Sequence, residues 1–252
     1  MIPAERRKEI LEYVKNKQSA SIAELSDAFS VSEMTIHRDL HFLEKAGHVQ
    51  KTYGGVVASP YQVVTKFNRR LQLYPERKDA IGKAAASMIN DGESIFLDSS
   101  TTTLAIIRYL ANLKNISVFT VSVAALTKLS LLPNIEVHST GGQVYNGTDS
   151  FVGPSCTAYI KQVHVDKCFI GVSGICAPEG VSDPIPLIAE VKRFMAESSK
   201  EVIICADQSK FGRLSRFNIF PLDEVDLVVT DADSETPCVQ DLIDLGVEFK
   251  YV

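Results

Sequence analysis

Residues 21–55 leave a chain few choices. The stretch reads SIAELSDAFSVSEMTIHRDLHFLEKAGHVQKTYGG. Two amphipathic segments are split by Phe29-Ser30-Val31 and followed by a short alternating segment that closes on Gly54-Gly55. Ser21 is a good helix N-cap, and Glu24 three residues on completes a capping box. Ile22, Leu25 and Ala28 give that helix an inner face, Val31 fills the angle of the turn, and Ser32 caps the next helix, which Gly47 ends. A first helix opens at Pro3 and is lined by Ile10, Leu11 and Val14. Three helices and a hairpin in this order make a winged helix-turn-helix, and its partner is duplex DNA.

The outward face of the third helix follows from its period. Ile36, Leu40 and Leu43 form one buried stripe at about 100° per residue. Met34, Arg38, His41 and Lys45 then fall roughly 140–200° from Ile36, and His37 lies on the flank. Glu33 and Thr35 sit near the helix start, where a recognition helix meets base edges, and Arg38 can reach a guanine or a phosphate. Lys51, Tyr53 and Gly54 belong to the wing. The candidate DNA-binding residues are Ser21, Ser32, Glu33, Met34, Thr35, His37, Arg38, His41, Lys51, Tyr53 and Gly54. The alternative is a helical hairpin with a solvated face.

Charge supports the division only weakly. The net charge is −5, but residues 1–80 hold 13 Lys/Arg against 10 Asp/Glu, a balance of +3, and residues 81–252 hold 13 against 21, a balance of −8. Hydrophobic residues at 45% and charged residues at 23% fit a soluble globular protein, and no apolar run is long enough to span a membrane. The opening MIPAERRKEI has no apolar leader, so the expected location is the cytoplasm. The five cysteines contain no C-x-x-C pair and sit mostly in apolar runs, which favours buried thiols over disulfides or a metal site.

The first half resembles the DeoR family of bacterial transcriptional regulators. The resemblance rests on Val31-Ser32-Glu33-Met34-Thr35-Ile36-His37-Arg38-Asp39-Leu40, then Leu43-Glu44, Gly47 and Tyr53-Gly54-Gly55. It departs at His37, where the family usually has arginine, and at Tyr53, where it usually has histidine. Both departures fall on the expected DNA surface and bear on which operator is read.

Residues 1–58 are therefore expected to be the DNA-binding domain, 59–75 a linker with a short helix, and 76–252 an α/β domain. Short apolar runs at 94–98, 116–121, 135–138, 168–171, 202–206 and 227–230 alternate with helical stretches, one of them Thr102 to Leu113. That pattern suits a mostly parallel sheet covered by helices on both faces. Ligands in such sheets bind at the carboxyl ends of strands. Two polar clusters stand there: Asp98-Ser99-Ser100-Thr101-Thr102-Thr103, where hydroxyls and helix N–H groups favour an anion, and Asp207-Gln208-Ser209-Lys210, which adds an ammonium. The alternatives are plain helix capping for the first and a polar loop for the second.

The resemblance continues through Asp98-Ser99-Ser100-Thr101-Thr102, Thr120-Val121-Ser122, Gly141-Gly142, Phe169 to Gly174 and Asp207 to Phe211. It implies a sugar-phosphate sensor with an isomerase/CoA-transferase-like fold. Ser100 stands where the family has glycine and Val121 where it has asparagine. The related ribose-5-phosphate isomerase carries D-G-A-D-E where this chain has Gly171-Val172-Ser173-Gly174-Ile175, then a glutamate-lysine pair to which Glu190 and Lys192 correspond. Without those carboxylates no base is placed for proton transfer, so the pocket is expected to hold a sugar phosphate and not convert it. The candidate effector residues are Asp98, Ser99, Ser100, Thr101, Thr102, Ser122, Gly142, Glu190, Lys192, Asp207 and Lys210. The resulting expectation is a repressor of sugar or polyol metabolism genes that binds operator DNA and a phosphorylated sugar or polyol. It is expected to act as a homo-oligomer, dimer or tetramer, with no cofactor, no metal and no membrane. An activator of the same architecture, an isomerase-like enzyme fused to a DNA-binding head, and a purely structural second domain are the alternatives.

Overall fold

The computed structural model describes residues 2–17, 19–45, 49–52, 54–58 and 67–252. The chain divides into two units at residues 63 and 64. Gly47, His48, Tyr53, Pro60 and Lys66, and the side chain of Lys45, lie outside the described residues.

The first unit contains α1 (Pro3–Lys17), β1 (Ser19–Ser21), α2 (Ile22–Phe29), α3 (Glu33–Lys45), β2 (Val49–Thr52) and β3 (Gly55–Ala58). Ile10, Val14, Leu25, Ile36, Leu40, Leu43, Val49 and Val56 form its core. The capping box is present: Ser21 Oγ accepts from Glu24 N–H at 3.1 Å, and Glu24 Oε2 accepts from Ser21 N–H at 3.3 Å. Ser30 takes the left-handed conformation and ends α2. Val31 follows, half-buried against the core, as the angle requires. The hairpin is antiparallel, and β1 adds a third strand in the order β1-β3-β2. That strand is a single alternation, Ser19-Ala20-Ser21, too short to stand out in sequence.

The second unit contains α4 (Phe67–Leu71), α5 (Pro75–Ala86), β4 (Ser94–Leu97), β5 (Ile116–Thr120), α6 (Val123–Leu129), β6 (Ile135–Ser139), β7 (Gln143–Tyr145), β8 (Ser150–Val152), α7 (Pro154–Ile160), β9 (Val165–Gly171), β10 (Gly174–Cys176), β11 (Gly180–Asp183), α8 (Pro186–Glu197), β12 (Ser199–Cys205), β13 (Phe217–Phe220), β14 (Leu227–Thr230), α9 (Pro237–Asp244) and β15 (Phe249–Tyr251). Seven strands form one parallel sheet in the order β15-β14-β12-β9-β4-β5-β6. Alternate residues feed two cores: Phe96 belongs to one, Ile95 and Leu97 to the other. Burial on both faces explains why these strands read as unbroken apolar runs. Two smaller antiparallel sheets, β10-β11-β13 and β7-β8, were not legible as strands in the sequence.

One expectation changes. The helix expected from Thr102 to Leu113 is a 3-10 helix over Thr103–Tyr109. Ile106 and Ile107 are β-branched and lose side-chain freedom in an α-helix. Helix α5 also presses on this segment, so closely that a Cβ on Gly82 would lie 2.7 Å from Ala105 Cβ. In addition, the short helix expected within the linker is α4, and its Phe67 packs into the second unit's core. All five cysteines are free; Cys156, Cys168 and Cys205 are buried, and burial pushes the Cys168 thiol up to about 12.

Candidate functional site

The exposed face of α3 is the face expected from its period. Glu33, Met34, His37, Arg38 and His41 are exposed, and Thr35 is half-buried. Ser32 Oγ lies 3.0 Å from Thr35 Oγ1 and accepts weakly from Thr35 N–H at 3.4 Å, so it is spent on the helix start. Ser21 is likewise occupied by its cap. Lys51 turns back toward α3: its ammonium donates to the His37 carbonyl at 3.4 Å and lies 4.0 Å from Glu44. Gly54 occupies the turn between β2 and β3 with φ +79. Asp39 is 1% exposed and is gripped by Arg6 Nε and Arg7 Nε, each at 2.7 Å. Arg7 also stacks over the Phe42 ring at 4.1 Å. These contacts fix α1 against α3 and so fix the tilt of the outward face.

In the second unit the polar residues gather at the carboxyl end of the parallel sheet. Asp98 follows β4, and Asp207 follows β12, with β9 between them. At the usual strand spacing the two are about 10 Å apart. Asp98 Oδ1 accepts from Ser100 N–H at 3.0 Å and from the Thr103 hydroxyl at 2.5 Å, so it shapes the loop from within. Ser100 Oγ accepts from Thr103 N–H at 3.0 Å. Its side chain fills the space over β9, where a Cβ on Gly171 would fall 2.3 Å from Ser100 Cβ. The serine that replaces the family's glycine is therefore absorbed into the fold. Ser99, Thr101 and Thr102 are buried, and their hydroxyls bond no other described residue.

Lys192 is 4% exposed. It donates to Gly171 O and to Asp183 Oδ2, both at 2.8 Å, and lies 3.5 Å from Asp98 Oδ2. It locks α8 to the ends of β9 and β11. Asp207 caps the turn at 208–210 by accepting from Ser209 N–H at 2.9 Å, and Lys210 Nζ stands 4.0 Å from its Oδ2. Burial pushes Lys210 down; Asp207 opposes that, while Arg213, Arg70 and Lys192 add to it. Burial also pushes Lys78 down to about 8, with Asp207 acting against it and Lys210 and Arg70 with it. Arg70 is lowered by burial and is favoured by the fields of Asp183 and Asp98. Arg70, Lys78, Lys192, Lys210 and Arg213 thus face Asp98, Asp183 and Asp207, a surplus of two positive charges. Among the described residues, Arg70 Nε and Asp98 Oδ2 are buried without a hydrogen-bond partner.

Three candidates make other contacts; Ser122 follows β5 at the same carboxyl edge of the sheet as Asp98. Glu190, two residues from Lys192 on α8, lines a separate groove with Arg193, Arg216 and Phe217. Positions i and i+2 of a helix point to different sides, so the glutamate-lysine pair does not converge. Ser122 accepts from Ala125 N–H at 3.1 Å and caps α6. Gly142 packs beside Val152 and Cys156. Sequence reasoning missed Arg70, Lys78, Asp183 and Arg213; the one signal was the basic Arg69-Arg70 pair, read as part of a linker. Volume does not single out the site: a groove of about 680 Å³ at the amino ends of β5 and β6 offers only Lys114 and Glu136 as charges. Among the described residues no cluster of three or more His, Cys, Asp or Glu could hold a metal, and no helix is long and apolar enough to cross a membrane.

Residues 6–60 match the DeoR-like helix-turn-helix domain, and residues 74–232 match the DeoR C terminal sensor domain. The chain is 37% identical to an uncharacterized HTH-type transcriptional regulator of Escherichia coli, YgbI, over 92% of this chain and 91% of that one. It is 34% identical to the HTH-type transcriptional repressor GlcR of Bacillus subtilis, over 92% and 89%. It is 32% identical to the HTH-type transcriptional regulator IolR of Bacillus subtilis, over 89% and 90%. Among solved structures, ribose 5-phosphate isomerase A from Methanocaldococcus jannaschii aligns with a TM-score of 0.41 at 17% identity, covering 54% of each chain.

Proposed function

The chain belongs to the DeoR family of transcriptional regulators, and from that premise we propose that it represses genes of sugar or polyol metabolism under the control of a phosphorylated sugar or polyol. The observation that carries the effector reading is the cationic cluster at the carboxyl end of the sheet, with a buried donor on Arg70 that has no acceptor and a buried Asp98 Oδ2 whose contact is the 3.5 Å ion pair with Lys192, without a hydrogen bond. A phosphate supplies acceptors for the first, and a sugar hydroxyl supplies a donor for the second. Buried polar atoms left unpaired cost about 1–3 kcal/mol each, which a ligand of this composition relieves.

Thr101, Thr102 and Lys210 hold the phosphate in this reading, with Ser99 beside them. The anion relies on side-chain cations more than on a helix end, because the following helix is a short 3-10 turn. Lys192 and Asp98 build the floor. Catalysis is not part of the proposal: Asp98 and Asp183 both flank the Lys192 ammonium, and β9 ends at Gly171 and passes through Val172-Ser173 to Gly174 of β10 with no carboxylate. Met34, His37, Arg38 and His41 face operator DNA. Paired heads in a homo-oligomer would meet a two-fold operator.

The test is a thermal-shift screen of the full chain against sugar phosphates and the same sugars without phosphate. A ligand that prefers the native state raises the melting temperature. At least one phosphorylated sugar should do so and change operator retention in a gel shift. Stabilisation by unphosphorylated or apolar ligands alone would overturn the effector reading.

A further inference from the structure

We propose that Arg70 is the residue through which a bound anion fastens α4 to the second unit, so that the site's occupancy sets how firmly the beginning of that unit is held. The inference rests on the anion-site reading above.

Helix α4 has five residues, too few to be stable alone. Its hold on the unit is slight. Phe67 is buried, and its N–H donates to Gly147 O at 2.9 Å. The Lys78 ammonium donates to the Arg70 carbonyl. Residues 68, 69 and 71–74 are exposed. Segments with so few buried contacts open at low cost. Arg70 is the exception in this stretch: its guanidinium reaches into the fields of Asp98 and Asp183, yet its buried Nε bonds to neither. A buried arginine Nε–H without an acceptor suits a phosphate, which accepts charge-assisted hydrogen bonds. Lys78 belongs to both arrangements at once, holding α4 by its carbonyl and lying near Lys210 and Asp207.

Helix α4 is also the first described element after β3, joined to it through residues 59–66. Whatever secures α4 therefore secures the sensor side of the connection to the DNA-binding head. Coupling of this kind is reciprocal: an anion that tightens α4 binds better when α4 is docked.

Hydrogen–deuterium exchange of the full chain, with inorganic phosphate as the probe, tests this. Saturating phosphate should slow exchange of amides 67–73 by about tenfold or more, together with amides 99–103. Arg70→Gln should still bind phosphate, about tenfold more weakly, and protect 99–103 without protecting 67–73. Arg70→Lys, which keeps the charge but lacks the Nε–H fork, should recover binding and only part of the protection. Protection of 99–103 but not 67–73 in the parent would overturn the role of α4 and leave the effector site standing, as would full protection of 67–73 in Arg70→Gln. If neither phosphate nor any sugar phosphate protects either segment or raises the melting temperature, the effector reading fails and takes this inference with it.

Discussion

Lys192 donates to Asp183 at 2.8 Å while standing 3.5 Å from Asp98, so one buried ammonium ties α8 to the ends of β11 and β4 in the second unit. Removing it strands two buried carboxylates. Breaking a buried ion pair from one side costs about 3–5 kcal/mol. Lys192→Met should therefore lower the unfolding midpoint of the second unit strongly in urea denaturation. A midpoint within error of the parent would show that the lysine is not the structural lock described here.

Asp39 performs a similar office in the head. It receives Arg6 and Arg7 together, and hydrogen bonds to charged groups contribute about 1.5–3 kcal/mol. Asp39→Ala should destabilise the head by about 2–3 kcal/mol and weaken DNA binding although the residue is buried. Circular dichroism melts and operator titrations read both effects.

Arg38 is exposed on the outward face of α3. Arg38→Ala should lose about 1–3 kcal/mol of specific operator binding at fixed salt and leave the melting temperature unchanged. His37→Arg should steepen the salt dependence of non-specific binding. The operator itself comes first, from selection out of a random duplex pool; unchanged affinity of Arg38→Ala for that duplex would remove Arg38 from the interface.

Lys78 sets a pH dependence. Its folded pKa is about 8, below the ordinary lysine value of 10.5, because of burial. In the ligand-free protein the buried ammonium costs stability below pH 8, and that cost fades as pH rises toward 10.5. A bound phosphate favours the charged form, so the sign reverses for the ligand. Affinity should be full below pH 8 and fall above it, by up to about tenfold per pH unit. Calorimetry at pH 8 in buffers of different ionisation enthalpy should register proton uptake, and Lys78→Met should reduce it, with any remainder from Lys210.

In the proposed effector site, Thr101→Ala and Lys210→Ala would each remove a contact worth about 1.5–3 kcal/mol to a charged phosphate. Sugar-phosphate affinity should drop roughly tenfold to a hundredfold, with operator binding in the absence of ligand unchanged. A Lys210→Ala protein that responds to ligand as the parent does would exclude the lysine from the site.

The parts legible in sequence were those governed by local rules. The Ser21-Glu24 capping box and the Ile36-Leu40-Leu43 stripe are written in consecutive turns of one helix, and unbroken apolar runs announced the parallel strands. The places of Asp98 and Asp207 just past β4 and β12 followed from the apolar runs that precede them. What escaped depended on contacts across long separations. Arg70 looked like linker charge because nothing local says that Phe67, three residues earlier, is buried. Asp183 precedes Lys192 by nine positions and Lys192 reaches it only by the fold. Glu190 and Lys192 were paired by resemblance to the isomerase's glutamate-lysine pair, but two positions apart on a helix they face different sides, Glu190 into a separate groove and Lys192 into the interior. The hydroxyl-rich loop promised more free ligands than it has, because Ser100 turned out to brace Thr103.

The contact between Gly82 and Ala105 has a mechanical consequence. With 2.7 Å left for an added Cβ, α5 and the 3-10 helix have no clearance to slide past each other. Lys78 lies one helical turn before Gly82, and the loop 98–102 runs straight into that 3-10 helix. The two walls are thus closely packed on each other, and a ligand entering the proposed site between them would not need to part them. Little of its binding energy would then be drawn off by rearranging the cradle, leaving the surplus to act on the side proposed to be loosely attached.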